Sequence, residues 1–282
     1  MSKKVELAAL MRFFKIFVNK EWISIEGYDD VLNRFGKLID VLKEDEIELI
    51  IDLTERYYWV SYNEYHTSLR RLLILLLEHS LSNKNRLFIF PIIKPDDEKK
   101  IKSGHAIMYM INSIKASISG FDNIEVVLLK EFAELKEENL LLCDEDFMIL
   151  VDDYIGTGKT LNTTLLEIQK NKTIHNDNYA IFTIAIQDKA IELLKDQNIN
   201  QYNWVSLPKG ISGYYDKPES ERRLKTMNGI ENRIPKVGKF KLGYEQSEAL
   251  ITLIRTPNNT FPIFWKGIDD KGRQLQAPFQ RF

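Results

Sequence analysis

Short apolar runs alternate with helical patterns along the middle of the chain. Apolar stretches bounded by turn residues are typical of buried strands, and apolar residues three or four positions apart are typical of helices. The strands predicted in this way are 86–93, 124–129, 147–151, 178–186 and 202–207, and the predicted helices begin at Lys102, Leu161 and Lys189. Strands that alternate with helices predict an α/β fold, with a parallel sheet that has helices on both faces.

The first third of the chain has a mostly helical pattern. Residues 28–44 and 63–80 carry apolar side chains at helical spacing, and 45–54 either continues the first helix or forms a short strand. Five aromatic residues lie close together in this region, and we interpret them as packing side chains, with a base-stacking platform as the alternative. They are Tyr57, Tyr58, Trp59, Tyr62 and Tyr65.

The last quarter of the chain has a different composition. Residues 208–242 are rich in glycine and proline and carry nine lysines and arginines against four acids. This pattern predicts a basic flexible segment, which acts as a lid, binds nucleic acid or is an ordinary solvated loop. Residues 246–255 have a helical pattern, and the prolines at 257 and 262 predict a turn after it.

Composition limits the classes of protein to which the chain can belong. With 282 residues, 44% apolar and 28% charged side chains and a net charge of −2, it has the composition of a soluble globular protein. The single cysteine, Cys143, rules out an internal disulfide and a cysteine-based metal site, and the four histidines show no ligand spacing. No signal-peptide pattern and no bilayer-spanning apolar run are present, which predicts a cytoplasmic protein without a membrane segment.

The most informative stretch is 147–161, FMILVDDYIGTGKTL. An apolar strand leads into two acids, a loop rich in glycine and threonine, and a helix, and this order places backbone N–H groups around a phosphate. Two kinds of phosphate loop compete for the stretch. The nucleoside-triphosphatase loop needs a glycine where this chain has Asp153, and a carboxylate there repels a polyphosphate.

The stretch resembles instead the 5-phosphoribosyl-1-pyrophosphate (PRPP) motif of type I phosphoribosyltransferases. The resemblance implies that Asp152 and Asp153 hold the two ribose hydroxyls, and that the loop after them holds the 5′-phosphate. The loop residues are Gly156, Thr157, Gly158, Lys159 and Thr160. Carboxylates suit paired hydroxyls, and N–H and hydroxyl groups suit a phosphate. The resemblance also implies Mg²⁺ bound to PRPP oxygens near the two acids, without a direct protein ligand.

The family holds pyrophosphate at the start of the helix that follows an earlier strand. The matching residues are Lys102, Ser103 and Gly104, and the alternative is that Ser103 is merely the N-cap of the helix. Lys94 is a rival position, because it lies nearer the end of the predicted strand.

Two departures from the family pattern limit what the resemblance implies. The acidic segment 131–146 stands where these enzymes have a closing loop, but Lys136 is its only cation, so it is either such a loop or a solvated connection. Purine-salvage members carry an acid where this chain has Gly156, so a purine-salvage role is disfavoured. The sequence identifies no catalytic general base.

The tail sequence RTPNNTFPIFW, residues 255–265, makes the resemblance more specific. Asn258, Asn259 and Trp265 are predicted to frame a planar base, in the position of the hood, the segment that covers such sites. Together with the PRPP motif and the helical N-terminus, the tail resembles the phosphoribosyltransferase-like domains of bacterial conflict (anti-phage) systems. The likeness extends over residues 85–265.

The resemblance implies three regions: a helical N-terminal extension (1–84), a phosphoribosyltransferase-like core (85–210) and a hood or lid region (211–282). It implies a protein that binds PRPP with Mg²⁺ and transfers or releases a ribosyl-phosphate group as a defence effector. The alternative is a non-catalytic PRPP or nucleotide sensor, or a regulatory subunit. The expected partners are PRPP, a protein bound at 1–84 and nucleic acid bound at 208–242, and the chain is expected to be an oligomer or a complex subunit.

Overall fold

The computed structural model of the protein describes residues 3–270 and 273–281. Its helices are α1 Lys3–Asn19, α2 Tyr28–Ile39, α3 Glu44–Glu55, α4 Tyr62–Ser80, α5 Ser103–Ile114, α6 Lys159–Ile168, α7 Asp188–Asp196, α8 Lys217–Glu231 and α9 Pro262–Trp265. Its strands are β1 Tyr58–Trp59, β2 Arg86–Pro91, β3 Glu125–Leu128, β4 Asp146–Ile155, β5 Tyr179–Gln187, β6 Asn200–Leu207, β7 Ile251–Thr252, β8 Asp269–Asp270 and β9 Arg273–Gln274. None of the helices in this part of the chain is long and apolar enough to cross a membrane.

The described residues form a five-stranded sheet in which all neighbouring strands are parallel. The strand order is β3-β2-β4-β5-β6. From β2 the chain passes to β3 at one edge of the sheet, and it then returns to form β4 on the other side of β2. The strand order therefore reverses between β2 and β4. Ligands of open parallel sheets bind outside the carboxyl ends of the strands at such a reversal.

Helices cover both faces of this sheet because its strands are apolar on both sides. All nine residues of β5 are buried, which is typical of a parallel strand between two helical layers. On one face α5 packs against β2 and β4, and α4 packs against β5 and β6. On the other face α6 and α7 pack through Leu161, Leu165 and Leu194 against Phe90 and Leu150 of the sheet. The predicted α/β fold is confirmed.

The chain divides into two compact units, Met1–Ser61 with Pro208–Phe282, and Tyr62–Leu207. This division differs from the boundaries expected at residues 84 and 210. α4 packs against α5, β5 and β6, so it belongs with the sheet and not with an N-terminal extension. β1 pairs in parallel with β7, with Tyr58 opposite Ile251, so the two ends of the chain share the other unit.

The unit of residues 1–61 and 208–282 has an aromatic core. Tyr57 stacks on Phe279 with ring centroids 4.7 Å apart, and the Phe264 ring also lies 4.7 Å from Tyr57. Phe13 and Phe35 stack with a centroid distance of 4.6 Å. Because these rings come from both ends of the chain, each end needs the other to bury its aromatic surface.

The aromatic residues near position 60 divide into buried and exposed groups. Tyr57 and Tyr65 are fully buried, in agreement with their interpretation as packing side chains. Trp59 is half-buried against the aromatic core, whereas Tyr58 and Tyr62 are exposed.

Two predictions for the C-terminal region are wrong. Residues 246–255 do not form a helix, because Gln246 and Glu248 have left-handed backbone with φ of 54° and 52°, and β7 follows them. The basic segment 208–242 is not a flexible loop, because it contains α8. The Asp216 side chain caps that helix and accepts a hydrogen bond from the Glu219 N–H at 3.1 Å.

Two open choices from the sequence are decided by packing. Residues 45–54 lie in α3, a helix separate from α2. The acidic segment 131–146 is not simply a solvated connection, because it buries three leucines against the core. They are Leu135, Leu140 and Leu142.

Candidate functional site

Two adjacent acids form the centre of the candidate site. β4 continues past residue 151, where the predicted strand ended, through Asp152 and Asp153 to Ile155. Asp152 lies opposite Thr183 of β5, so the sheet holds its backbone. Both acids are half-buried near the carboxyl end of β4, at the reversal of strand order between β2 and β4.

Neighbouring groups donate hydrogen bonds to both carboxyl groups. Ser103 Oγ, at the start of α5, donates to Asp152 Oδ1 at 2.5 Å. The Asp153 N–H donates to the same oxygen at 2.9 Å. Tyr65 OH, on α4, donates to Asp153 Oδ2 at 3.0 Å. Two different helices therefore orient the two carboxyl groups.

Burial and mutual repulsion change the ionisation of this pair. Burial, and after it the charge of Asp153, raises the pKa of Asp152 well above its ordinary value. Burial also raises the pKa of Asp153, while hydrogen bonds from Tyr65 and Ser103 favour its ionised form. Adjacent carboxyl groups in such surroundings retain a proton more readily than isolated ones. Their oxygens are hydrogen-bond acceptors, which suit the hydroxyls of a vicinal diol.

The loop after β4 leads directly into α6. Gly158 has a φ of 78°, in the left-handed region that favours glycine, and it is the N-cap of the helix that begins at Lys159. A side chain at Gly158 would also lie 3.1 Å from Leu193 Cδ2. Thr164 Oγ1 of α6 donates to Ile93 O at 2.8 Å, which ties this helix to the segment after β2.

The loop residues thus stand between the acid pair and the N-terminus of a helix, and the dipole of a helix attracts anions to that end. The first glycine of the loop is buried, and the two threonines are half-buried. These residues are Gly156, Thr157 and Thr160. Their predicted phosphate-binding role stays a prediction.

The start of α5 lies against the ends of two strands. A side chain at Gly104 would place its Cβ 2.8 Å from Val151 O and 2.9 Å from Pro91 Cβ. Only glycine therefore lets the helix begin this close to β2 and β4. Lys94, the rival position, lies in the preceding turn, where its carbonyl accepts a hydrogen bond from Asp97 N at 2.9 Å.

Ser103 and Lys102 have partners that the sequence did not indicate. Ser103 is the first residue of α5, and its hydroxyl donates a hydrogen bond to Asp152. Its interpretation as the N-cap of the helix is therefore wrong. Lys102 is the N-cap residue, and its N–H donates to His105 Nδ1 at 3.2 Å. The Lys102 ammonium lies 3.1 Å from Asp97 Oδ2. An anion at this helix start therefore competes with Asp97 for that ammonium.

The predicted hood residues lie in the unit of residues 1–61 and 208–282, whereas the acid pair lies in the unit of residues 62–207. Asn258 O accepts a hydrogen bond from Tyr244 N at 2.9 Å, and Asn259 O accepts one from Ser247 Oγ at 2.8 Å. Trp265 Nε1 donates to the Thr260 carbonyl at 2.8 Å. These backbone and indole contacts hold the turn that the prolines predicted, and the base-framing role stays a prediction.

Tyr65 is the site residue that the sequence did not reveal as such. Its position among helical apolar residues predicted only that it is buried, and it is 1% exposed. Its contact with Asp153 joins residues 88 positions apart, and no local pattern encodes that distance.

No group of three or more histidine, cysteine or acidic side chains is arranged to hold a metal ion within the described residues.

Solved structures match parts of this chain at low sequence identity. One is a hypothetical protein from Neisseria gonorrhoeae with bound ppGpp, which is 12% identical, with a TM-score of 0.35, over 59% of this chain and 95% of that chain. The Helicobacter pylori xanthine-guanine-hypoxanthine phosphoribosyltransferase is 13% identical, with a TM-score of 0.30, over 47% and 79% of the two chains. The Aeropyrum pernix orotate phosphoribosyltransferase is also 13% identical, with a TM-score of 0.30, over 51% and 71%.

No curated protein matches the sequence significantly. A family profile, in contrast, matches residues 33–281, which include the acid pair, the loop after it and the tail. With the match extending over most of its length, the chain belongs to the PRTase-CE family.

Proposed function

We propose that the protein binds PRPP through the acid pair and the loop 156–160, with Mg²⁺ bound to the oxygens of PRPP. The observation that carries this proposal is the position of Asp152 and Asp153 at the reversal of strand order. The start of α5 contacts this acid pair, and the loop leads from it into α6.

Each part of PRPP has a chemically matched group in this arrangement. The acid pair suits the 2′- and 3′-hydroxyls of ribose, because its carboxyl oxygens accept hydrogen bonds from hydroxyl groups. The N–H groups at the start of α6 suit the 5′-phosphate. The start of α5, with Ser103 and Lys102, suits the pyrophosphate, whose remaining charge Mg²⁺ neutralises when it is bound.

We infer that the reaction transfers or releases a ribosyl-phosphate group. Its transition state has the character of a ribosyl cation, so catalysis consists of holding the sugar and stabilising the departing pyrophosphate. Gly156 stands where purine-salvage enzymes have an acid, which disfavours a purine acceptor.

A non-catalytic sensor of PRPP or a nucleotide is the second candidate, and the ion pairs of two lysines favour it. Lys102 is paired with Asp97, and the Lys136 ammonium lies 3.8 Å from Glu138. An acid thus competes with a departing pyrophosphate for each of these two lysines. Pyrophosphate release from PRPP in the presence of candidate acceptors supports the enzyme, whereas binding without release supports the sensor.

The wider context is also part of the proposal. The resemblance to conflict-system domains suggests a cytoplasmic defence effector within a larger assembly. One face of α1 supports a protein partner at residues 1–84, because it exposes apolar side chains. They are Leu7, Met11, Phe14 and Val18.

Nucleic-acid binding at 208–242 receives less support. Arg222 and Arg223 form ion pairs with Glu219, and Arg233 forms one with Glu46. These cations are therefore partly neutralised within their own unit.

Thermal unfolding with PRPP and Mg²⁺ tests the binding proposal. We expect PRPP at about a hundred times its dissociation constant to stabilise the wild type by about 2.7 kcal/mol. The double variant Asp152→Asn with Asp153→Asn should lose this response, because it lacks the carboxylate acceptors. Asp29→Asn with Asp30→Asn is the matched control, since it makes the same change at two adjacent exposed acids of the other unit. Absence of a response in the wild type would refute PRPP as the ligand.

A further inference from the structure

Tyr65 makes a contact that its burial alone does not require. The residue is 1% exposed, and its hydroxyl donates to Asp153 Oδ2 at 3.0 Å. A buried hydroxyl needs a partner, but a carboxyl group of the candidate site is a partner with chemical consequences.

α4 gives this hydroxyl a well-defined position. The helix packs against α5, β5 and β6, and it buries leucines along the three turns after Tyr65. They are Leu69, Leu72, Leu73 and Leu76. A tyrosine ring fixed in such packing has little freedom, so its hydroxyl holds the Asp153 carboxyl in one orientation.

The two acids are supported differently. Asp152 Oδ1 accepts hydrogen bonds from Ser103 Oγ and from the Asp153 N–H. Asp153 Oδ2 accepts a hydrogen bond from Tyr65, which favours the ionised form of Asp153. The pair is therefore asymmetric, with a phenolic donor on one acid only.

We propose that Tyr65 is a positioning residue that orients the Asp153 carboxylate to receive a ribose hydroxyl of the phosphoribosyl ligand. This inference rests on the proposed function, and it adds a residue of α4 to a site otherwise built from β4 and the starts of α5 and α6.

The test compares two ligands that differ in the ribose. Ribose 5-phosphate engages the acid pair and the phosphate loop, whereas inorganic phosphate engages the loop alone. Tyr65→Phe keeps the ring and removes the hydrogen-bond donor. It should lower the affinity for ribose 5-phosphate by about tenfold and leave the affinity for inorganic phosphate unchanged. A general loss of structure would lower the affinity for both ligands. Calorimetric titration measures the two affinities.

Tyr62→Phe is the matched control. Tyr62 is the first residue of the same helix and is 70% exposed, so the loss of its hydroxyl should change neither affinity. Asp153→Asn should lose less affinity in the Tyr65→Phe protein than in the wild type, because the two residues act together.

The pH dependence gives a second readout. The groups that face Asp153 are Asp152 on its own strand, Tyr65 on α4 and Ser103 on α5. Removal of the Tyr65 donor raises the pKa of Asp153, so the binding curve for ribose 5-phosphate should shift to higher pH in Tyr65→Phe. Titration of ¹³C-labelled aspartate carboxyls by NMR follows the same change without any ligand, with Asp152→Asn and Asp153→Asn to assign the signals.

The outcomes separate this inference from the proposed function. If the wild type binds no ribose 5-phosphate and no PRPP, the proposed function fails, and the role of Tyr65 fails with it. If the wild type binds and Tyr65→Phe binds equally well with an unchanged pH midpoint, only the role of Tyr65 is wrong. A selective loss for ribose 5-phosphate with a shifted midpoint supports both.

Discussion

Gly104 has its place in the site for steric reasons. The start of α5 lies so close to the ends of β2 and β4 that a Cβ would be 2.8 Å from Val151 O. This close approach brings Ser103 within hydrogen-bonding distance of Asp152. The glycine at 104 is therefore a condition for the hydrogen bond that Ser103 makes.

We expect Gly104→Ala to displace α5 from the strand ends. The cost should be about 1–3 kcal/mol of unfolding free energy, as for other overpacked sites, and the response to PRPP should be lost. Gly229→Ala is the control, because a Cβ there has no atom within 4 Å and the residue lies inside α8. That variant should gain up to about 1 kcal/mol from helix propensity. Urea unfolding measures the unfolding free energies of both variants. An unchanged PRPP response in Gly104→Ala would contradict the proposed role of the start of α5.

α8 ends at a buried acid that links the helix to the segment after it. Glu231 is the last residue of the helix and is fully buried, and its Oε2 accepts a hydrogen bond from Leu242 N at 2.7 Å. Burial, only partly offset by this bond and by Lys241, raises the pKa of Glu231 to about 8. The helix end is thus held by a carboxyl group that prefers to be protonated.

Glu231 should make the protein less stable as pH rises. The folded state keeps this proton up to a pKa of about 8, whereas the unfolded state loses it near the ordinary value of 4.5, so the stabilisation present at low pH is lost across that interval. Glu231→Gln removes the titration and should be more stable than the wild type at pH 9, by an amount on the order of a few kcal/mol. At pH 5 the two proteins should differ much less.

Unfolding in urea at both pH values measures this difference. Glu221→Gln, an exposed position on the same helix, is the control and should follow the wild type. Parallel pH profiles for Glu231→Gln and the wild type would mean that Glu231 is ionised in the folded protein.

The molecule joins distant parts of the chain in each of its two units. The unit of residues 1–61 and 208–282 pairs β1 with β7 and stacks Tyr57 on Phe279. The unit of residues 62–207 begins with α4, which covers β5 and β6 and carries Tyr65. Removing either end of the chain therefore exposes a core.

We expect deletion of residues 1–84 to abolish cooperative folding. It removes α4 from the sheet and most of the buried aromatic rings from the core of the other unit. A loss of partner binding in this variant would therefore not locate the binding surface. Circular dichroism on heating measures this, and a folded deletion variant with a sharp transition would contradict the division into units.

Partner binding is better mapped on α1 by substitution. Met11 and Phe14 are 65% and 47% exposed, so Met11→Lys with Phe14→Lys should leave the thermal transition unchanged while removing a partner that binds this face. Pull-down with the full chain measures that loss.

Much of the sheet and of the acid–loop motif follows from local pattern. The five strands of the sheet were predicted because buried parallel strands are short apolar runs, and the pairing of Asp152 and Asp153 with a glycine-rich loop is contiguous in the chain. Errors arose where backbone conformation overrides apolar spacing, as at Gln246 and Glu248, whose left-handed φ prevents the predicted helix.

Contacts between distant residues were decided only when the chain folded. Tyr65 bonds to Asp153 and Ser103 bonds to Asp152 because α4 and α5 pack on the same sheet. Asp97 forms an ion pair with Lys102 because a turn brings the two residues together. Local sequence specifies which elements form and which chemistry a contiguous motif offers. The partners of each functional group depend on packing across long separations in the chain, and periodicity carries no information about those separations.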